Sequence, residues 1–201
     1  TGATTVNAGR LFVTGALGQS AVAVNDGGTL GGSGTIGGAV TVNGSGWLSP
    51  GTSPGVLTMG SLALEPDSTT LMEINGVQRG EEYDGVNITA GGDLAYGGTL
   101  SLLFGNSTPF LDGSTFDLLS FASGVPGTFF DEVTSTGYYE GTWTWDNADT
   151  FSLEFGRQTL LFSHLTGELT IVPEPSAFVL AVLALAAMAF RRPRRPIDCQ
   201  A

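Results

Sequence analysis

The chain has 201 residues, 31 of them glycine, with no lysine and a single cysteine. Ahead of Pro173 three arginines face seventeen acids, a charge of −14; from Pro173 onward four arginines face two acids, a charge of +2. An acidic body without a basic patch excludes nucleic acid as a partner. Cys199 has no second cysteine to pair with, so no internal disulfide forms. The length suits one domain with a tail. Thr1 opens the chain inside a repeat, with no signal-peptide pattern ahead of it, as expected of a mature form or a fragment of a longer protein.

The first sixty residues repeat. Valines fall at 6, 24 and 42 and asparagines at 7, 25 and 43, each set spaced by 18 residues. A fixed period of about 20 residues is the mark of a solenoid. Each unit reads as a short alternating strand, an Asn-Gly type of turn and a second short strand. Ala21–Val24 and Ala39–Val42 alternate with period two, which puts Val22, Val24, Val40 and Val42 on an inner face and Thr41 outside. Glycine pairs at 27–28, 31–32 and 37–38 supply the corners. Strands stacked coil on coil lie about 4.8 Å apart. Asn7, Asn25 and Asn43 are therefore predicted to form a ladder of side-chain amides. The fold class is all-β, a parallel β-helix, with stability supplied by neighbouring coils.

Further alternating segments follow at 61–64, 71–74, 86–89 and 99–102. Beyond Asn106 aromatic residues gather, among them Phe110, Phe116, Phe129, Phe130, Tyr139, Trp143, Trp145 and Phe162. This half reads as the last coils and an aromatic-rich C-terminal β cap, since bulky rings can hide an open strand edge. A separate small β-sandwich over 107–172 is the alternative. The division is thus 1–105 repeat region, 106–171 terminal coils and cap, and 172–201 tail.

Motifs that could carry chemistry are few. His164 is the only histidine, and a strand or turn position explains it more simply than a triad or a zinc site. Glu81-Glu82-Tyr83-Asp84 offers clustered oxygens for calcium, but a solvated loop is the plainer reading. Asp146-Asn147-Ala148-Asp149 reads as a turn. Trp47, Trp143 and Trp145 could serve a glycan as stacking platforms, against which core or cap packing is the simpler expectation. Polysaccharide-cleaving chemistry would need converging carboxylates on one face, and coils one to three supply only Asp26. No catalytic residue, cofactor or metal site is assigned.

The glycine-rich phrasing of Thr1–Gly9, Gly27–Ile36 and Leu48–Gly55 resembles the autotransporter-associated β-strand repeat family, over roughly residues 1–105. That resemblance implies a right-handed β-helical passenger segment of an exported, surface-displayed bacterial protein. The family's outer-membrane barrel has no counterpart after Thr170, so self-transport is not expected.

The tail has three parts. Val172-Pro173-Glu174-Pro175-Ser176 comes first, then an apolar run from Ala177 to Phe190, then a basic end, 191–201, with Arg191, Arg192, Arg194 and Arg195. Pro173 and Pro175 should break the link to the preceding strand. The run reads as a single C-terminal transmembrane helix over 177–190, short at about 21 Å against a core of about 30 Å. The arginines orient it with their end in the cytoplasm and the body outside. In order and content the three parts resemble a PEP-CTERM sorting signal. The resemblance implies an exported protein of a Gram-negative bacterium, handled at the Pro-Glu-Pro motif by a membrane-embedded exosortase. Its implied partners are that enzyme, inner-membrane lipid and extracellular polysaccharide. The sequence thus points to a non-enzymatic structural or adhesive protein, held first in the inner membrane with a periplasmic body and then at the cell surface or in a matrix. A polysaccharide-active β-helix enzyme and a glycan-binding module are the alternatives.

Overall fold

A computed structural model describes residues 2–122, 124 and 128–174. Among them the regular structure is all β, in three sheets. The first strands are β1 (Thr4–Val6), β2 (Gly9–Phe12), β3 (Ala16–Leu17), β4 (Val22–Val24), β5 (Gly28–Gly32), β6 (Thr35–Val42) and β7 (Trp47–Pro50). There follow β8 (Val56–Leu64), β9 (Thr69–Ile74), β10 (Gly85–Ile88), β11 (Leu94–Ala95), β12 (Thr99–Phe104), β13 (Thr115–Asp117), β14 (Leu119–Ser120) and β15 (Glu132–Gly137). The chain closes with β16 (Gly141–Thr142), β17 (Thr144–Trp145), β18 (Thr150–Phe155), β19 (Gln158–Ser163) and β20 (Glu168–Pro173).

Two sheets are built of parallel strands. One runs β1-β4-β6-β8-β10-β14, with β3 and β11 also paired to it; the other runs β2-β5-β7-β9-β12-β15, with β16 added antiparallel at its end. As the chain advances, successive long strands fall in alternate sheets. In the first sheet Val6 lies beside Val24, Val24 beside Val42 and Val42 beside Leu64. In the second Leu11, Leu30, Leu48, Thr70, Leu100 and Val133 form one row. Alternation with period two turns these positions inward, and Val24, Val42, Leu30, Leu48 and Leu100 are fully buried. Thr70 is the polar exception, its hydroxyl buried with no hydrogen-bond partner among the described residues. The valines expected inside (22, 24, 40 and 42) are buried, and Thr41 is half-buried.

The third sheet differs. Its order is β13-β20-β19-β18-β17, antiparallel throughout. The segment 106–171 thus holds the last parallel strands, β14 and β15, together with an antiparallel sheet that carries Phe116, Trp145, Phe151, Phe155 and Phe162. Tyr139 packs edge-on against Phe104 of β12 with ring centroids 5.0 Å apart, which joins this aromatic layer to the parallel core.

Pro173 does not break away from the preceding strand as expected. It is the last residue of β20, opposite Gln158, and Glu174 donates its backbone N–H to the Arg157 carbonyl at 2.9 Å. Proline is tolerated there because a strand end leaves it no ladder bond to donate. The boundary placed between 171 and 172 therefore falls inside β20. Pro175, Ser176, the predicted helix 177–190 and Arg191, Arg192, Arg194 and Arg195 lie outside the described residues. Among those described, no helix is long and apolar enough to cross a membrane.

Candidate functional site

The parallel register decides which side chains meet. β1, β4 and β6 end on valines in register, so the next residue of each strand leaves the sheet at the same point. Asn25 donates through Nδ2 to Asn7 Oδ1 at 2.7 Å, and Asn43 donates to Asn25 Oδ1 at 2.7 Å. A primary amide suits such a line because it donates on one side and accepts on the other. The ladder links the ends of β1, β4 and β6; it holds no group able to take part in proton transfer or nucleophilic attack.

A second constellation lies on the outer face of the second parallel sheet. The residue before each inward-facing leucine (Leu11, Leu30 and Leu48) points out, which aligns Arg10, Thr29 and Trp47 in neighbouring strands. One step along, Phe12, Gly31 and Ser49 are likewise in register. Trp47 is 43% exposed and Phe12 46% exposed. Core or cap packing, the expectation for the tryptophans, fails for Trp47 because its place in β7 puts it on the solvent side. It holds for Trp143, which is buried and donates its indole N–H to Ser135 Oγ at 2.8 Å, and Trp145 packs on Phe129 and Phe151. Around Phe12 and Trp47 lies a shallow depression of about 470 Å³, lined also by Arg10, Thr29, Ser49, Leu71 and Glu73. Gly31, buried in β5, leaves room for the Phe12 ring: a Cβ there would fall 2.6 Å from the Ser49 carbonyl oxygen and 3.0 Å from that ring. Glu73 is fixed at one margin, where Ser53 donates its hydroxyl to Oε2 at 2.8 Å. Arg10 makes no ion pair or hydrogen bond through its side chain among the described residues.

The Glu81–Asp84 segment is the solvated turn the sequence suggests only in its first half: Glu81 and Glu82 are exposed, whereas Tyr83 and Asp84 are buried. Glu82 turns back to accept the N–H groups of Val77 and Gln78 at 2.9 and 3.0 Å. Asp84 is fully buried and accepts the N–H groups of Gly55 at 2.8 Å and Glu73 at 2.9 Å, one on each carboxylate oxygen. Burial pushes its carboxyl up to about 7, against the pull of those two bonds. Asp84 thus ties the 51–55 turn to β9; with both oxygens engaged and no exposure it is not placed to serve a substrate. Arg79 performs a similar task nearby, donating to the Asp117 carbonyl and to Asn87 Oδ1. No group of three or more histidine, cysteine, aspartate or glutamate side chains comes together as a metal site among the described residues.

His164 lies in the turn after β19 and is buried by Tyr96, Phe129, Phe130, Trp145 and Phe162. Its Nε2 accepts the Phe130 N–H at 3.0 Å, and Nδ1 faces the Asp149 carbonyl at 3.1 Å. A carbonyl can only accept, so the proton of the neutral ring sits on Nδ1. Burial holds the imidazole below its ordinary range. Asp146 makes the expected turn, its Oδ1 accepting the Ala148 and Asp149 N–H groups, which lower its pKa.

Of the residues the sequence singled out, Asn7, Asn25 and Asn43 come together, Val172 and Pro173 end β20, and Glu174 follows it. Phe12, Arg10 and Glu73 carried no motif, and Ser49 stood out only as part of the Leu48–Gly55 phrase. Aligning the repeats on their buried leucines would have found Arg10 and Trp47 at one outer position. No family model and no curated protein matches the chain.

Proposed function

We propose that this chain is an exported structural and adhesive protein, its body a right-handed parallel β-helix and its C-terminus a PEP-CTERM sorting tail. One observation carries the first half: successive long strands alternate between two parallel sheets, with asparagines 18 residues apart bonded in a line. A chain that returns to the same place on the layer below winds a coil. Parallel crossovers are overwhelmingly right-handed. Such a stack is quasi-one-dimensional and makes an extended scaffold. The aromatic antiparallel sheet at its end acts as the cap.

The tail reading rests on sequence. Val172–Ser176, the apolar run 177–190 and the arginines at 191, 192, 194 and 195 stand in the order of a sorting signal handled by exosortase. The apolar helix holds the protein in the inner membrane with the body periplasmic. Processing then passes the body to the cell surface or a polysaccharide matrix. In a host without exosortase, the full chain should fractionate with the inner membrane. Release into the medium there with the tail intact would overturn the tail reading. Turnover of a polysaccharide by the purified chain would overturn the non-enzymatic one.

A further inference from the structure

We infer that the outer face around Phe12 and Trp47 is a binding platform for a neutral saccharide chain. This names the ligand class behind the adhesive reading and rests on it.

The argument starts from what a solvent-facing aromatic costs. A single exposed apolar side chain is ordinary. Two large rings on one rigid face are less so, with register fixing them on strands β2 and β7 and only β5 between. Gly31 has no room for a side chain, which lets the Phe12 ring lie against it, and Thr29 beside Trp47 completes the face between the two rings. The surround is polar: hydroxyls at Thr29 and Ser49, a guanidinium at Arg10 and a carboxylate at Glu73.

A pyranose ring presents a C–H face and a girdle of hydroxyls. The aromatic rings take the face, and the hydroxyl, guanidinium and carboxylate groups take the girdle. Both parts are present here, whereas an apolar peptide would leave Arg10 and Glu73 without a use. The open depression admits a chain lying across the strands rather than a small molecule enclosed in a cavity. Charge selects among saccharides. The body carries −14, and Glu73 stands at the site itself. A uronic-acid polymer would be repelled, so a neutral chain is the occupant.

The full chain should bind maltohexaose or cellohexaose saturably, read by calorimetry and tryptophan fluorescence, and bind hexagalacturonate more weakly than either. Trp47→Ala and Phe12→Ala should each weaken binding by about tenfold or more, with thermal unfolding unchanged. Trp47→Tyr should restore most of the affinity. Absence of binding to both neutral probes, equal binding by Trp47→Ala, or preference for hexagalacturonate would each overturn the inference. So would a dimer in sedimentation that Trp47→Ala dissolves, since the occupant would then be a second copy. Cleavage of a bound hexasaccharide would sink the adhesive reading, while its loss in Trp47→Ala would still support the platform.

Discussion

His164 accepts the backbone N–H of Phe130 through Nε2 at 3.0 Å, and this bond ties the antiparallel sheet to the segment that leads into β15. The tie is reinforced from a third element, because Tyr96 donates its hydroxyl to the His164 carbonyl at 3.0 Å. Protonation would turn Nε2 into a donor facing another donor.

The junction should therefore weaken in acid. Burial lowers the folded pKa of His164 below 6.5, with Asp149 and Asp146 opposing only in part. The unfolded chain takes up a proton at about 6.5 while the folded chain resists it. The contribution of His164 is full above that pH and is lost as pH falls below it. Urea melts between pH 7.5 and 5 should show this limb, and His164→Leu should flatten it. The same variant leaves the Phe130 N–H unpaired and should lose about 1–3 kcal/mol at pH 7.5.

Asp84 should act in the opposite direction. Its folded pKa, about 7, stands above the ordinary 3.8. Its contribution is therefore full below about pH 4 and is lost as pH rises through 7. Asp84→Asn, which does not titrate, should flatten that trend. It keeps one acceptor of two, so Asp84→Ala, which keeps neither, should be the less stable by about 1–3 kcal/mol. Chemical denaturation at pH 4.5 and 8 checks both.

The asparagine ladder predicts a ratio. Asn25 makes two amide bonds in the line, Asn7 and Asn43 one each. At about 0.5–1.5 kcal/mol per bond, Asn25→Ala should cost roughly twice what Asn7→Ala or Asn43→Ala costs. Equal losses in all three would show that the amides act singly.

Thr70 predicts a gain. It stands in a row of buried leucines, and its hydroxyl has no partner among the described residues. Thr70→Val keeps the shape and removes the stranded polar group, and should raise stability by about 1 kcal/mol or more. A lower melting temperature would count against this account of the core.

The strand repeats were legible where their spacing was constant. Val6, Val24 and Val42 are 18 residues apart, so repeats, inward valines and asparagine line could all be read directly. In the second sheet Trp47 lies beside Thr69, Thr69 beside Thr99 and Thr99 beside Glu132, intervals of 22, 30 and 33 residues. A lengthening interval leaves no period, although the register persists. The carboxylate of Asp84 was read as solvated because nothing local says that the 51–55 turn folds over it. Trp47 was misread because its outward direction depends on register with the buried Leu48 and not on its own apolar character.

The position of β20 has a mechanical consequence. It lies between β13 and β19, and its ladder runs to Pro173, with Glu174 still bonded to Arg157. A pull on Glu174 along the strand would load both flanking ladders in shear, many bonds at once, rather than peel them one by one. Tension applied at the C-terminal end of β20 would thus be met by a strand held on both sides.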